Sequence, residues 1–307
     1  MKLSKLLPLI GIAIFIVLIL KIGLNNIALG FKELNYLYLV LAILFLIPIT
    51  IIETFKWNII LRIQKIKLPF KWLVKANLKS VFYAFITPSR LGTLSRIFFL
   101  KKKTNKSFGE CSSSVILDRS FDLIAIFIFA IIGCFLLAAY LSAFTAYIMA
   151  GFIIFIGVFI FFLEKKRSKA ILQIIYKTLI QKKFKSKARE SFNSFYGNIP
   201  EIKYLIWPFL LNLIYWLSNY LFSFIIAKAL RITVPLHYFI FLMPIATIAS
   251  LLPITVYGLG TREASLIFLL GLFGVNASKV MAMSVISLIL NALPALIGFF
   301  ISLKIKK

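Results

Sequence analysis

Apolar residues fill this chain in blocks longer than a soluble amphipathic helix needs, and short polar, mostly basic stretches separate them. A helix crossing about 30 Å of hydrocarbon needs about 20 predominantly apolar residues. Six blocks meet that length: residues 6–24, 38–60, 115–139, 144–163, 204–230 and 279–303. Lys21 lies near the end of the first block, where a lysine can snorkel to the headgroups. No small-residue cleavage signal follows, so this block predicts an anchor and not a removed leader. Two further apolar regions do not read as single spans. Residues 73–100 are interrupted by Pro88 and Gly92 and carry Lys75, Lys79, Arg90 and Arg96. Residues 236–274 are interrupted by Pro244, Pro253, Gly258 and Gly260 and hold Arg262 and Glu263. Each predicts two spans, or two half-helices that enter and return on one side. Irregular backbone at membrane depth requires protein or a wet cavity to satisfy its N–H and C=O groups.

Composition agrees with a membrane chain. Of the 307 residues, 62% are apolar and only 15% are charged, against about 45–50% and about 25% in soluble domains. The net charge of +27 would suggest nucleic-acid binding if the basic residues shared a water-facing domain. Here they mark loops instead, and no nucleic-acid role is expected. Lysine and arginine stay on the cytoplasmic side of a span. Residues 2–5, 61–75, 101–106, 164–203 and 304–307 hold 25 of the 36 basic residues. The loops on the other side, 25–37, 140–143, 228–235 and 275–279, hold only Lys32, Lys228, Arg231 and Lys279. If both broken regions return to the side they left, every basic loop and both termini are cytoplasmic. The long loop 164–203 places Ile171, Ile174, Ile175, Leu179 and Phe184 between lysines. That pattern predicts amphipathic helices on the anionic inner leaflet of the cell membrane.

The two broken regions also resemble each other. Residues 86–93 read Ile-Thr-Pro-Ser-Arg-Leu-Gly-Thr and residues 254–261 read Ile-Thr-Val-Tyr-Gly-Leu-Gly-Thr, matching at five of eight positions with an offset of 168. The same offset maps 38–60 onto 206–228 and 115–139 onto 283–307. Three crossings plus one broken hairpin per half would insert the second half upside down, an arrangement found in secondary transporters. The expected fold is therefore an all-α polytopic membrane protein, one integral membrane domain over 1–307. Two inverted repeats (about 1–140 and 144–307) would each hold three transmembrane helices and one broken, re-entrant helical hairpin.

Charges inside apolar segments are costly and normally face the protein interior in pairs. Asp118, Arg119 and Asp122 sit at the start of one span, with the aspartates on one helical face and Arg119 able to pair with Asp122 at i,i+3. Glu53 and Lys56 form a second i,i+3 pair. Arg90, Arg96, Arg262 and Glu263 flank the two Leu-Gly-Thr turns. These residues read either as structural ion pairs clamping broken helices or as a binding site. In the second reading, Gly92, Gly258 and Gly260 let backbone approach a ligand, half-helix N-termini face an anion, and Arg90, Arg96 and Arg262 fork onto a phosphate headgroup. Glu53, Asp118, Arg119, Asp122 and Glu263 then form a gating or ion-pair network. No cofactor or metal is expected: His237 is the sole histidine, and Cys111 and Cys134 form no CxxC. Walker, HExxH and Ser-His-Asp patterns are missing, so no enzyme is expected. A membrane-embedded glycosyltransferase using Asp118 and Asp122 is the weakest alternative.

At these residues the chain resembles the flippase-like transmembrane region of lysylphosphatidylglycerol synthases and related free-standing membrane proteins. The matching pieces are Pro88-Ser-Arg90-Leu-Gly92-Thr-Leu-Ser-Arg96, Leu117-Asp118-Arg119-Ser-Phe-Asp122 and Gly258-Leu-Gly260-Thr-Arg262-Glu263. The family forms look like Pro-Gly-Arg-x-Gly-Glu-x-x-Arg, Glu-Arg-x-x-Asp and Gly-Gly-x-Gly-x-Arg-Glu. Here Ser89 replaces a glycine, Thr93 a glutamate and Asp118 a glutamate, departures that point to a different headgroup. The aminoacyl-transfer domain of the full synthases has no counterpart after the last span, so aminoacyl transfer is not expected. The resemblance implies movement of a phospholipid or polyprenyl-phosphate lipid between leaflets. It equally admits a non-transporting scaffold for a membrane glycosyltransferase or lipid-modifying enzyme.

Overall fold

A computed structural model describes residues 7–32, 34–163, 185–251, 255 and 258–303, and its architecture is helical. In chain order the α-helices are α1 (Leu7–Ile22), α2 (Leu24–Leu29), α3 (Tyr36–Ile63), α4 (Phe70–Phe85), α5 (Ser95–Lys103), α6 (Phe108–Leu136) and α7 (Ala138–Leu163). They continue as α8 (Lys185–Gly197), α9 (Ile202–Ala229), α10 (Leu236–Leu251), α11 (Thr261–Gly271) and α12 (Ala277–Leu303). A 3₁₀ turn, Leu91–Leu94, leads into α5.

Among the described residues, four helical stretches are long and apolar enough to cross a bilayer: Tyr36–Ile63, Phe144–Phe161, Ile202–Ala229 and Ala277–Leu303. These cover four of the six expected blocks. Most of the block at 115–139 lies in the 29-residue α6, which carries the buried Asp118 and Asp122 and the half-buried Arg119. The block at 6–24 is divided by Gly23 between α1 and α2. Only 6% of Phe144–Phe161 is buried, and Tyr147, Ile153 and Ile154 are exposed over its surface. An apolar face of that kind suits hydrocarbon and not water.

Both broken regions are pairs of short helices. At about 1.5 Å per residue, the 16 residues of α4 reach about 24 Å and the nine of α5 about 14 Å, both short of the hydrocarbon thickness. The break in the first follows from local chemistry. Pro88 disfavours helix at Thr87, and Ser89 and Arg90 both take left-handed backbone, at φ 50° and 56°. Thr87 Oγ1 then accepts from the Gly92 N–H at 2.7 Å, which closes the turn. Pro244, expected to interrupt the second region, lies inside the continuous helix α10 instead. Neighbouring helices accommodate such a proline by re-satisfying the freed backbone groups. The second break falls after Leu251, and most of residues 252–257 lie outside the described set.

The main core lies where α6, α9, α10, α11 and α12 meet, and it includes Ala125, Ile126, Phe222, Phe239, Met243, Leu266, Leu270 and Met283. A smaller core joins α3, α4, α5 and α6 through Trp57, Leu73, Leu100 and Val115. Of the basic segment 164–203, residues 164–184 and their expected apolar face lie outside the described set. Residues 185–197 form α8, which packs on α6. A side chain at Gly109 would put its Cβ 2.0 Å from the Ser191 carbonyl oxygen, so only glycine permits this approach. Hydrogen bonds from Gln64 Nε2 to the Asn198 carbonyl (3.0 Å) and from Asn198 Nδ2 to Ser113 Oγ (3.0 Å) hold the end of α8.

Candidate functional site

Glu53 and Lys56 lie one turn apart on α3, and their spacing predicts a pair with each other. The structure pairs them elsewhere. Lys56 Nζ sits 2.9 Å from Asp118 Oδ1 and 2.7 Å from Asp122 Oδ1. It also donates to Asn212 Oδ1 on α9 at 2.7 Å. Asp118 and Asp122 share one face of α6, so a single ammonium from the facing helix meets both carboxylates. Glu53 turns to the broken hairpin, where Arg96 Nη2 reaches its Oε1 at 2.6 Å.

Arg96 is the hub of the cluster. Its Nε donates to Ser80 Oγ at 2.9 Å, its Nη1 to Asp118 Oδ2 at 3.0 Å, and its Nη2 to Glu53 and to Asn77 Oδ1. Asn77 Nδ2 in turn donates to Glu53 Oε2 at 3.0 Å. The guanidinium is fully buried and lies over the Trp57 ring, 5.0 Å from its centre. A phosphate-binding role was expected of Arg96. Its three nitrogens are instead committed to protein acceptors, and its position fits a clamp between α3, α4, α5 and α6.

Arg119 completes the set, with Nη2 2.8 Å from Asp118 Oδ2 and Nη1 2.9 Å from Asp122 Oδ2. The i,i+3 pairing with Asp122 is the one the spacing predicts. Trp216 Nε1 adds a hydrogen bond to Asp122 Oδ1 at 3.1 Å. Glu53, Asp118 and Asp122 thus balance Lys56, Arg96 and Arg119. Such neutrality is required, because an uncompensated charge in this surrounding would be severely penalised.

One edge of the cluster is open. Arg119 keeps 25% of its side chain accessible, whereas Lys56, Arg96 and Asp118 keep 1% or less. Arg119 Nε at this edge lacks a hydrogen-bond partner, as do Asn212 Nδ2 and, beyond their ion pairs, Asp118 Oδ1 and Asp122 Oδ2 within the cluster. The Arg90 guanidinium lies within electrostatic reach of the Tyr215 and Tyr220 hydroxyls on α9.

The second turn differs from expectation. Gly258 and Gly260 do take positive φ, 79° and 86°. The Gly260 N–H, however, donates to Glu263 Oε2 at 2.6 Å, and Ser284 Oγ donates to Glu263 Oε1 at 2.6 Å. Glu263 is therefore the acidic cap of α11, and it occupies a donor that an anionic ligand would need. Arg262 Nη2 donates to Ser287 Oγ on α12 at 3.1 Å. Gly92 likewise serves packing, since a Cβ there would lie 2.1 Å from the Tyr83 carbonyl. The three glycines fit chain closing on chain, with Gly92 and Gly260 directing their N–H groups to protein acceptors.

Sequence reasoning missed Asn77, Ser80, Asn212 and Trp216. Asn77 and Ser80 carry a faint signal, because they interrupt the face of α4 that otherwise presents the buried Leu73, Ala76 and Ala84. Asn212 stands 156 residues from Lys56, and nothing local in α9 sets it apart.

The model of the lysylphosphatidylglycerol synthase TM region family matches residues 8–298. The chain belongs to this family. Relatives are free-standing members of archaea. One, the UPF0104 membrane protein MJ1595 of Methanocaldococcus jannaschii, is 23% identical over 99% of this chain and 95% of its own length. A second, the UPF0104 membrane protein PH1989 of Pyrococcus horikoshii, is 26% identical over 98% of this chain and 97% of its own length. The UPF0104 membrane protein MJ1078 of Methanocaldococcus jannaschii is 27% identical over 67% of this chain and 86% of its own length. Family membership and the apolar helices together make this an integral multi-pass membrane protein.

Proposed function

We propose that the protein moves a phosphate-bearing lipid, a phospholipid or a polyprenyl phosphate, between the leaflets of the cell membrane without making or breaking covalent bonds. The observation that carries this reading is the accessible edge of the ionic cluster at Arg119. Arg119 Nε lacks a hydrogen-bond partner beside a core that is already charge-neutral, so an incoming phosphate finds a donor there without disrupting the clamp. Arg262 is the counterpart on the second hairpin. Arg96 is left out of this ligand set because its guanidinium already holds Glu53 and Asp118.

Element positions support two inverted halves. Adding 168 to the bounds of α3, α4, α5 and α6 gives 204–231, 238–253, 263–271 and 276–304, close to those of α9, α10, α11 and α12. Contacts exchange in the same way, for α4 packs on α12 while α10 packs on α6. An added Cβ at Gly298 would lie 2.0 Å from the Leu78 carbonyl oxygen, and one at Gly133 would lie 2.0 Å from that of Phe241. The loop charges favour both termini on the cytoplasmic side.

The test is leaflet exchange in proteoliposomes carrying fluorescent phosphatidylglycerol, phosphatidylcholine or polyprenyl phosphate. Wild-type protein should speed exchange of at least one phosphate-bearing probe over empty vesicles. Folded wild-type protein that accelerates none of them would sink the reading.

A further inference from the structure

Helix α4 carries a second charge pattern that the ionic cluster does not use. Lys71, Lys75 and Lys79 recur every four residues, so they stand one above another on a single face. Lys71 and Lys75 are exposed and Lys79 is half-buried, with its ammonium 5.5 Å from the centre of the Phe99 ring on α5. Lys102, also on α5, joins them: Lys75 and Lys102 both act repulsively on Lys79. Among the described residues no carboxylate pairs with any of the four. Like charges one turn apart weaken a helix, so the ladder gives α4 no stability of its own. Packing does not require it either, because Leu73, Ala76, Asn77, Ser80 and Ala84 bury the other face.

Depth gives the ladder its meaning. Eight residues of helix separate Lys71 from Lys79, about 12 Å at full rise. The headgroup layer on each side of a bilayer is only about 5–8 Å thick. A ladder that starts at the cytoplasmic surface therefore carries positive charge below the phosphate plane, towards the turn that bears Arg90. Lysine suits such a path better than arginine, since its compact, hydrated charge holds phosphate without the fixed fork of a guanidinium.

We propose that Lys71, Lys75, Lys79 and Lys102 form a capture track for anionic phospholipids of the cytoplasmic leaflet, taking the headgroup phosphate from the surface towards the accessible edge of the ionic cluster at Arg119. The track deepens the transport reading and names anionic phospholipid as its substrate class. The assay, however, reads capture alone and requires no exchange.

Full-length protein is reconstituted in phosphatidylcholine vesicles containing phosphatidylglycerol with a photoreactive group near its headgroup. Crosslinks to residues 70–103 are then counted by mass spectrometry. The variant Lys71→Gln/Lys75→Gln/Lys79→Gln should lose these crosslinks by at least about fivefold, the factor equal to the roughly 1 kcal/mol that a single lysine contributes near an anionic surface. The control Lys185→Gln/Lys187→Gln/Arg189→Gln on α8 should keep them, and so should the triple Lys→Arg variant. Unchanged thermal unfolding confirms that each variant is folded. An equal loss in both Gln variants would mean that diffuse charge draws the lipid, and equal capture of a photoreactive phosphatidylcholine would mean no selection for anions. Either result overturns the track. Competition by inorganic phosphate would overturn it too, by assigning the lysines to a free anion. Capture that persists without leaflet exchange would leave the track standing and remove only the transport reading.

Discussion

Arg96 Nη2 lies 2.6 Å from Glu53 Oε1, joining the return limb of the first broken hairpin to the middle of α3. This contact has a clear energetic role. A nine-residue helix such as α5 cannot anchor itself across hydrocarbon by its own length, and the ion pair fixes it from inside. Removing one partner of a buried ion pair typically costs about 3–5 kcal/mol, because the other charge is left uncompensated. Arg96→Ala should therefore lower the melting temperature of the detergent-purified protein sharply, and Glu53→Gln should do so to a similar degree. The double variant Arg96→Met/Glu53→Gln should recover part of the loss. Unaltered melting in Arg96→Ala would show that the cluster does not hold the hairpin.

Arg119 offers a cleaner test of ligand binding. Arg119→Lys keeps one positive charge near Asp118 and Asp122 but removes Nε and the planar fork. Melting temperature should change little while lipid exchange falls by about tenfold, equal to about 1.4 kcal/mol in the barrier. Equal exchange in the lysine variant would remove Arg119 from the proposed headgroup set.

The first turn should be intolerant of any side chain at Gly92. A Cβ there would lie 2.1 Å from the Tyr83 carbonyl, so backbone must move. Overpacking of this kind costs about 1–3 kcal/mol. Gly92→Ala should melt well below wild type. Gly157→Ala on α7, where the added carbon meets nothing within 4 Å, should melt at or above wild type because alanine favours helix. Differential scanning fluorimetry of the pair decides it.

Acid should loosen the start of α6. Glu110 is the N3 member of a capping box with Ser107, and Lys106 Nζ lies 2.8 Å from its Oε1. Burial pushes its carboxyl upward, yet the contacts from Lys106 and Ser107 prevail and the net direction is below the ordinary 4.5. A depressed folded-state value means stability that is present above about 4.5 and is lost as pH falls through the lower, folded value. Glu110→Gln keeps the cap without titrating. Its melting temperature should therefore fall less than that of wild type between about pH 7 and pH 3, and parallel curves would refute this role.

Ser89 shows how a local sequence departure meets the fold. It takes φ 50° where the family pattern has glycine, and left-handed backbone costs an ordinary residue about 1–2 kcal/mol. The neighbouring Pro88 and the Thr87–Gly92 hydrogen bond hold the turn in spite of that strain.

The sequence by itself determined that this is a helical membrane protein. Hydrophobic length alone marks α3, α7, α9 and α12 as capable of crossing, and Pro88 with the downstream glycines marks where helices stop. Local spacing also determined the Arg119–Asp122 pair, since both partners lie on one helix within a single turn. Only the tertiary structure decided the rest of the ionic cluster. Lys56 leaves Glu53, its neighbour by spacing, for Asp118 and Asp122, because the packing of α3 against α6 brings two carboxylates to one ammonium. Arg96 passes from expected ligand to clamp because the return of α5 carries it into the core. Asn77, Ser80, Asn212 and Trp216 join the cluster by hydrogen bonds for the same reason. A hydrogen bond between distant helices depends on how the helices pack, and no residue carries that information in its own stretch of chain.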